Sequence, residues 1–294
     1  MQVIKHGLGG RMSNGEMDQR EPPEPCAEAA FSDIASPIVD EAIEQAKGVA
    51  SDPSAEGLHQ LRITMRRLRA LWWSYRPLLD AGENTRQRDF FRSLADSAGK
   101  ARDYDILIEL LKLQQKDAKV LPPEISDARQ EALDAGREVL SNPEMKTLLL
   151  EALSQTSGAL VARQDRQPLQ TFSDSRVTAS EKQLRKRVRR ASQAKRSDVA
   201  AFHDVRKAGK KARYLLELFG PVLSGGHRRT LNRLKKIQKR FGALNDVVAS
   251  EKLLRDNASL LAAIAEPERT LKWFRKERER RLRAAAALLR KDWK

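Results

Sequence analysis

The stretch HQLRITMRRLR at residues 59–69 returns 144 residues later as HDVRKAGKKAR at 203–213, and this pair decides the reading of the chain. With about 100° per residue and His59 at zero, Arg62, Arg66 and Arg69 fall at about −60°, −20° and −80° on a helix. They make one stripe beside the histidine. Leu61, Met65, Leu68, Trp72 and Tyr75 gather between about 160° and 240°, a separate apolar face. In the second copy His203, Arg206, Lys210 and Arg213 form the stripe, and Val205, Ala212, Leu216 and Phe219 the apolar face. Arg67, Lys207 and Lys211 flank the stripes. Like charges at i, i+4 and i+7 repel, and no Asp or Glu is interleaved on either stripe, so a neighbouring carboxylate or a bound anion must neutralise them. Guanidinium groups suit tetrahedral oxyanions because they donate paired hydrogen bonds in a fixed fork.

The repeat extends outward. Pro77 and Pro221 each end a helix at matched positions. Downstream, SAGKARD at 97–103 aligns with RFGALND at 240–246, now 143 residues apart. Two similar helical halves related by a pseudo-twofold axis are expected. Apolar spacing of three and four predicts helices at 37–49, 54–76, 84–117, 123–140, 143–164, 174–194, 198–219, 225–256 and 267–291, with a short element near 256–265. Ser51, Asp52 and Pro53 mark one helix start and Ser197 another. Hairpin signals are absent, so the predicted fold class is all-α, with two pseudo-symmetric helical bundles. Residues 1–35, rich in Gly and acidic Pro clusters, read as a disordered leader; 36–170 and 171–294 are the two halves.

Charge is distributed unevenly over these 294 residues of formal net charge +16. Residues 1–58 hold 4 basic and 11 acidic side chains, whereas 181–240 hold 20 basic and 4 acidic. Such a field attracts a polyanion: nucleic acid, an anionic membrane surface or an inorganic phosphate polymer. Aromatics at 5% argue against a base-stacking surface. A third basic stripe, Arg229, Arg233, Lys236 and Arg240, has Arg86, Phe90, Ser93 and Ser97 opposite it in the first half. KQLRKRVRR at 182–190 is also basic, while the counterpart near 38–46 carries Asp40, Glu41 and Glu44. The second half should therefore dominate anion binding. One cysteine, Cys26, excludes an intrachain disulfide and fits a reducing, cytoplasmic setting. No apolar run reaches membrane-span length, and no secretory signal is expected.

These segments, LHQLRITMRRLRALWWSYRPLL (58–79), AGKARDYDIL (98–107), FHDVRKAGKKARYLLELFGPVL (202–223) and LKKIQKRFGALNDVV (234–248), resemble the CHAD domain, named for a conserved histidine in an α-helical domain. The resemblance covers about 37–291. It implies two pseudo-symmetric antiparallel helical bundles, with four-helix-type halves, around a central basic groove, and binding of inorganic polyphosphate, often at polyphosphate granules. On that resemblance His59, Arg62, Arg66, Arg69, His203, Arg206, Lys210 and Arg213 contact the ligand. Ala98 and Phe241 stand where the family's motif has Leu. The E-x-E-x-K metal-triphosphate motif of relatives with a fused hydrolase domain is absent.

Other readings stay open at this point. His59 and His203 can serve an anion site, cross-bundle hydrogen bonds or, least expected, a metal; no HxxxH or HExxH spacing exists. Asp103 and Asp246 can be a catalytic pair or hold an arginine in place. Trp73 lies on the side of the basic stripe, Trp72 on the core face, and KQLRKRVRR can be a solvated face. No Walker-A loop, nucleophile elbow or dinucleotide fingerprint occurs. The expectation is a polyphosphate-binding protein without cofactor, metal or catalytic residues. A nucleic-acid-binding protein and a metal-dependent phosphohydrolase are the alternatives.

Overall fold

Two N-caps start the paired helices. Gly57 donates its amide to Ser54 Oγ at 3.0 Å, and Ala201 donates to Asp198 Oδ1 at 3.1 Å, each satisfying an otherwise orphaned N–H. The computed structural model describes residues 25–52, 54–114, 121–142, 144–194 and 198–292. Pro53, Ser197, residues 1–24 of the expected leader and the last three residues of the expected 84–117 helix lie outside them. From the caps run α2 (Ala55–Tyr75) and α8 (Val199–Phe219), each followed by a 3-10 turn over the proline, Arg76–Leu78 and Gly220–Val222. Around them lie α1 (Ala27–Ser51), α3 (Ala81–Ser97), α4 (Lys100–Gln114), α5 (Pro123–Leu140), α6 (Glu144–Val161) and α7 (Leu169–Gln193). The chain closes with α9 (Arg228–Asp256), the short α10 (Ala258–Ala263) and α11 (Pro267–Asp292). The protein is all-α; among the described residues extended pairing is limited to one bridge, Cys26 with Pro168.

α2 packs on α1, α3 and α8, and α8 on α7, α9 and α2. The apolar faces read from the sequence are where they were expected: Leu61, Met65, Leu68, Trp72 and Tyr75 are all fully buried. The main core runs through both halves without interruption, from Phe31 and Val39 to Phe219, Phe241 and Ala285. A second cluster joins Leu107, Leu111 and Ile125 of the first half to Val247, Leu254 and Phe274 of the second. In packing terms the halves are one body.

Two expectations are corrected. The expected leader of 1–35 overreaches, because α1 begins at Ala27 and passes through Pro37, ten residues before the expected start at 37. Phe31 is fully buried, edge-on to Trp72 and Tyr75 with ring centroids 5.0 and 4.9 Å away. Tyr75 donates to Ala27 O at 3.1 Å, and Ala27 donates its amide to Gln167 O at 2.8 Å. Pro37 sits exposed, so its ring is accommodated on the solvent side of the helix. The expected 84–117 helix is broken at Ala98-Gly99, whereas its counterpart α9 continues through Gly242.

Phe31→Ala tests whether the N-terminal part of α1 belongs to the core. Loss of a fully buried phenyl should lower unfolding free energy by about 3–5 kcal/mol in a denaturant titration. A change under about 1 kcal/mol would mean that this segment is peripheral.

Candidate functional site

Where α2 meets α8, their basic stripes face each other. Arg62 and Arg66 come from α2, Arg206, Lys210 and Arg213 from α8. Burial pushes Lys210 down to about 7, and Arg206, Arg66, Arg62 and Arg213 push in the same direction. Arg66 is pushed down to about 10, first by burial and then by Arg62, with Arg206 adding to it. Burial also lowers Arg206, against the pull of Asp246. The carboxylates at this seam, Asp96, Asp103 and Asp246, are too few to balance it. Burying like charges together is unfavourable unless counter-charges meet them, so the seam is a strongly electropositive site.

The second repeated motif positions these cations. Arg62 lies across the backbone of Gly99, donating to Gly99 O at 3.4 Å and approaching Asp103 Oδ1 at 3.7 Å. A Cβ on Gly99 would stand 2.6 Å from the guanidinium carbon of Arg62, so only glycine lets the arginine lie there. In the second half His203 Nδ1 donates to Asn245 Oδ1 at 2.8 Å, fastening α8 to α9. Burial lowers His203, with Lys207 contributing, and it lowers His59 as well. Arg102 occupies the position that matches Asn245; it turns to Glu109 at 3.5 Å, and buried His59 Nδ1 has no hydrogen-bond partner among the described residues. The paired histidines are therefore not equivalent.

A second cluster lies on Trp73, which is buried on the stripe side of α2. Lys211 Nζ sits 4.0 Å over the ring, with the guanidinium carbons of Arg176 and Arg76 at 4.8 and 4.9 Å. Burial lowers Lys211 to about 8, with Arg88, Arg76, Arg69 and Arg176 adding to it. Arg176 is 8% exposed and donates Nε to Ser74 O at 2.8 Å, while its Nη2 has no acceptor among the described residues. Arg62 Nε, Arg88 Nε and Arg206 Nε are likewise buried without an acceptor among them. Buried donors are normally paired, so this concentration marks a place suited to an external acceptor.

Several residues singled out in the sequence make contacts of their own. Arg67 turns to α1 and pairs with Glu41 at 2.6 Å. Lys207 is exposed beside His203. Arg213 lies over Tyr214 and reaches Glu217 at 3.4 Å, and Arg69 neighbours Arg92, Asp96 and Asp89. Arg229, Arg233, Lys236 and Arg240 are exposed on α9, where Arg228, Arg229, Asn232, Arg233 and Lys236 line an open basin of about 580 Å³. Arg76, Arg88 and Arg176 were not among the expected site residues. Arg176 had a signal, a lone cation between Phe172, Ser173 and Val177 on an apolar face, and so did Arg76, three residues after Trp73 at the end of α2; Arg88 joins only through the packing of α3 on α2. Among the described residues no three His, Cys, Asp or Glu side chains converge as a metal site, and no helix is long and apolar enough to cross a membrane.

The geometry can be compared with known proteins. The CHAD domain crystal structure from the plant Ricinus communis superposes with a TM-score of 0.75 at 23% identity, over 91% of this chain and 93% of that one. PptA from Streptomyces chartreusis gives a TM-score of 0.63 at 17% identity, over 90% of this chain and 97% of that one. No curated protein matches. The sequence profile of the CHAD domain matches residues 34–255, which span both basic stripes and both glycine motifs, and the chain belongs to the CHAD domain family.

Proposed function

We propose that this protein binds inorganic polyphosphate in a basic groove along the α2–α8 seam, without catalysing a reaction on it. The observation that carries the reading is the convergence of Arg62, Arg66, Arg206 and Lys210, from two different helices, into one half-buried cluster. A linear phosphate chain supplies a dense line of oxyanions that meets such cations by charge-assisted hydrogen bonds and releases counterions. His203 acts by holding Asn245 and the α8–α9 register; Asp103 and Asp246 hold arginines. The Trp73 cluster, with Arg69, Arg76, Arg88, Arg176 and Lys211, extends the site. Recruitment to cytoplasmic polyphosphate granules follows from this reading.

Duplex nucleic acid is the second reading, favoured by the exposed cations of α9, which present a general polyanion surface. Single-strand binding lacks support, because the aromatic ring at the site, Trp73, is already covered by cations.

Arg206→Ala combined with Lys210→Ala should weaken polyphosphate binding and lower the slope of log affinity against log salt by about 1–2. Wild-type affinity and slope in titration calorimetry would remove the seam as the site. Gly99→Ala should displace the Arg62 guanidinium and cost about tenfold in affinity, with the melting temperature nearly unchanged. Unaltered affinity would detach Arg62 from the ligand.

The two depressed lysines set the pH dependence. A phosphate chain favours their charged forms, so binding takes up protons where the free groups titrate, at about 7 for Lys210 and about 8 for Lys211. Affinity should be highest below this range and fall as pH rises through it. Calorimetry in buffers of different ionisation enthalpy should show proton uptake that disappears in the Lys210→Arg, Lys211→Arg variant. Affinity independent of pH from 6 to 9 (about three units) would contradict the placement of these lysines against the ligand.

A further inference from the structure

The stretch KQLRKRVRR takes part in neither cluster. On α7 it places Lys182, Arg185, Lys186, Arg189 and Arg190, all exposed, within about 70° of one direction. The buried residues Val177, Leu184, Val188 and Ala191 face the opposite way, so the stripe points straight out to solvent. Arg187, outside the stripe, keys α7 to α8 through Asp204 at 3.1 Å. Arg185 reaches Glu181 at 3.8 Å; among the described residues no carboxylate lies within salt-bridge reach of Lys182, Lys186, Arg189 or Arg190. The matching helix α1, also 25 residues long, carries Asp40 and Glu44 where α7 has Lys182 and Lys186. Shared architecture thus does not require these cations, and uncompensated like charges at i, i+4 weaken a helix.

On α9, Arg229, Arg233 and Arg240 are likewise exposed and lie about 100–140° around the helix from Asp246, the residue through which α9 faces the seam cations. The open basin at the start of α9 adds a concave surface lined by Arg228, Arg229 and Arg233. Two faces of the second half therefore carry phosphate-binding chemistry while pointing away from the seam.

We propose that these outward stripes on α7 and α9 hold a second segment of polyphosphate, so that one molecule bridges separate chains and draws them into a condensed network. The inference rests on the polyphosphate reading of the seam. Bridging needs two faces that one short ligand cannot span, and avidity then arises on long chains without any new contact.

The test compares wild type, a seam variant (R206A/K210A) and an outer variant (K186E/R190E/R229E/R233E) at about 0.15 M salt, where long-range steering is screened. Calorimetry with a short polyphosphate reports the seam; light scattering with long-chain polyphosphate reports bridging. Wild type should scatter strongly at substoichiometric protein. The outer variant should keep the short-chain affinity within about threefold and lose the scattering. The seam variant should lose both. Scattering by the outer variant equal to wild type, or tight short-chain binding by wild type with no scattering, would overturn the bridging inference and leave the seam intact. Failure of wild type to bind short polyphosphate would overturn the seam reading itself. Scattering with duplex DNA but not with polyphosphate would overturn the choice of partner.

Discussion

Arg62, Arg66, Arg206 and Lys210 are held together against their own repulsion, and the rest of the structure is arranged to keep them there. The apolar faces of α2 and α8 lock each helix into a core shared by both halves, and this sets Arg62 and Arg66 against Arg206 and Lys210. Lys210 registers the cost most directly: burial and four neighbouring cations drive it to about 7, where an isolated lysine would stay charged. For the free protein this destabilises the charged state, and stability gains as pH rises through that range. On the proposed reading, an anion held at the seam favours the charged form of Lys210 and offsets this cost.

The seam is precise because backbone elements hold its side chains. Arg62 rests on Gly99, where the chain breaks between α3 and α4, and the break gives the arginine a carbonyl to donate to. Across the seam the same task falls to His203 and Asn245 on the unbroken α9. One repeat thus uses two solutions, an arginine over a glycine turn and a histidine bonded to an amide. Farther out, Arg176 and Lys211 use the face of Trp73 as a neutral partner, which lets several cations crowd without carboxylates.

Much of this was legible in residues 59–69 and 203–213, because a helix converts spacing into direction: the stripes, the apolar faces and the prolines after them all follow from periods of 3.6. Long-range packing was not legible in the same way. The helix before Pro37 was missed because a proline usually opens a helix, and only the burial of Phe31 against Trp72 and Tyr75 shows why this one lies inside. Gly99 and Gly242 look alike in sequence, yet α3 ends before the first while α9 runs on through the second. Arg67 looked like part of the basic face, but Glu41, one helix away, claims it. Arg176 and Arg88 reach the Trp73 cluster from α7 and α3, which no local pattern encodes, whereas Arg76 stands three residues after Trp73.

Competition between long-chain polyphosphate and duplex DNA or RNA for the wild-type protein, at several salt concentrations and with orthophosphate release followed, tests the central claim most directly. The predicted result is polyphosphate binding that survives an excess of nucleic acid and releases no orthophosphate. Equal displacement by DNA or RNA would contradict a site shaped for a phosphate chain, and metal-dependent release of orthophosphate would contradict a binding role without catalysis.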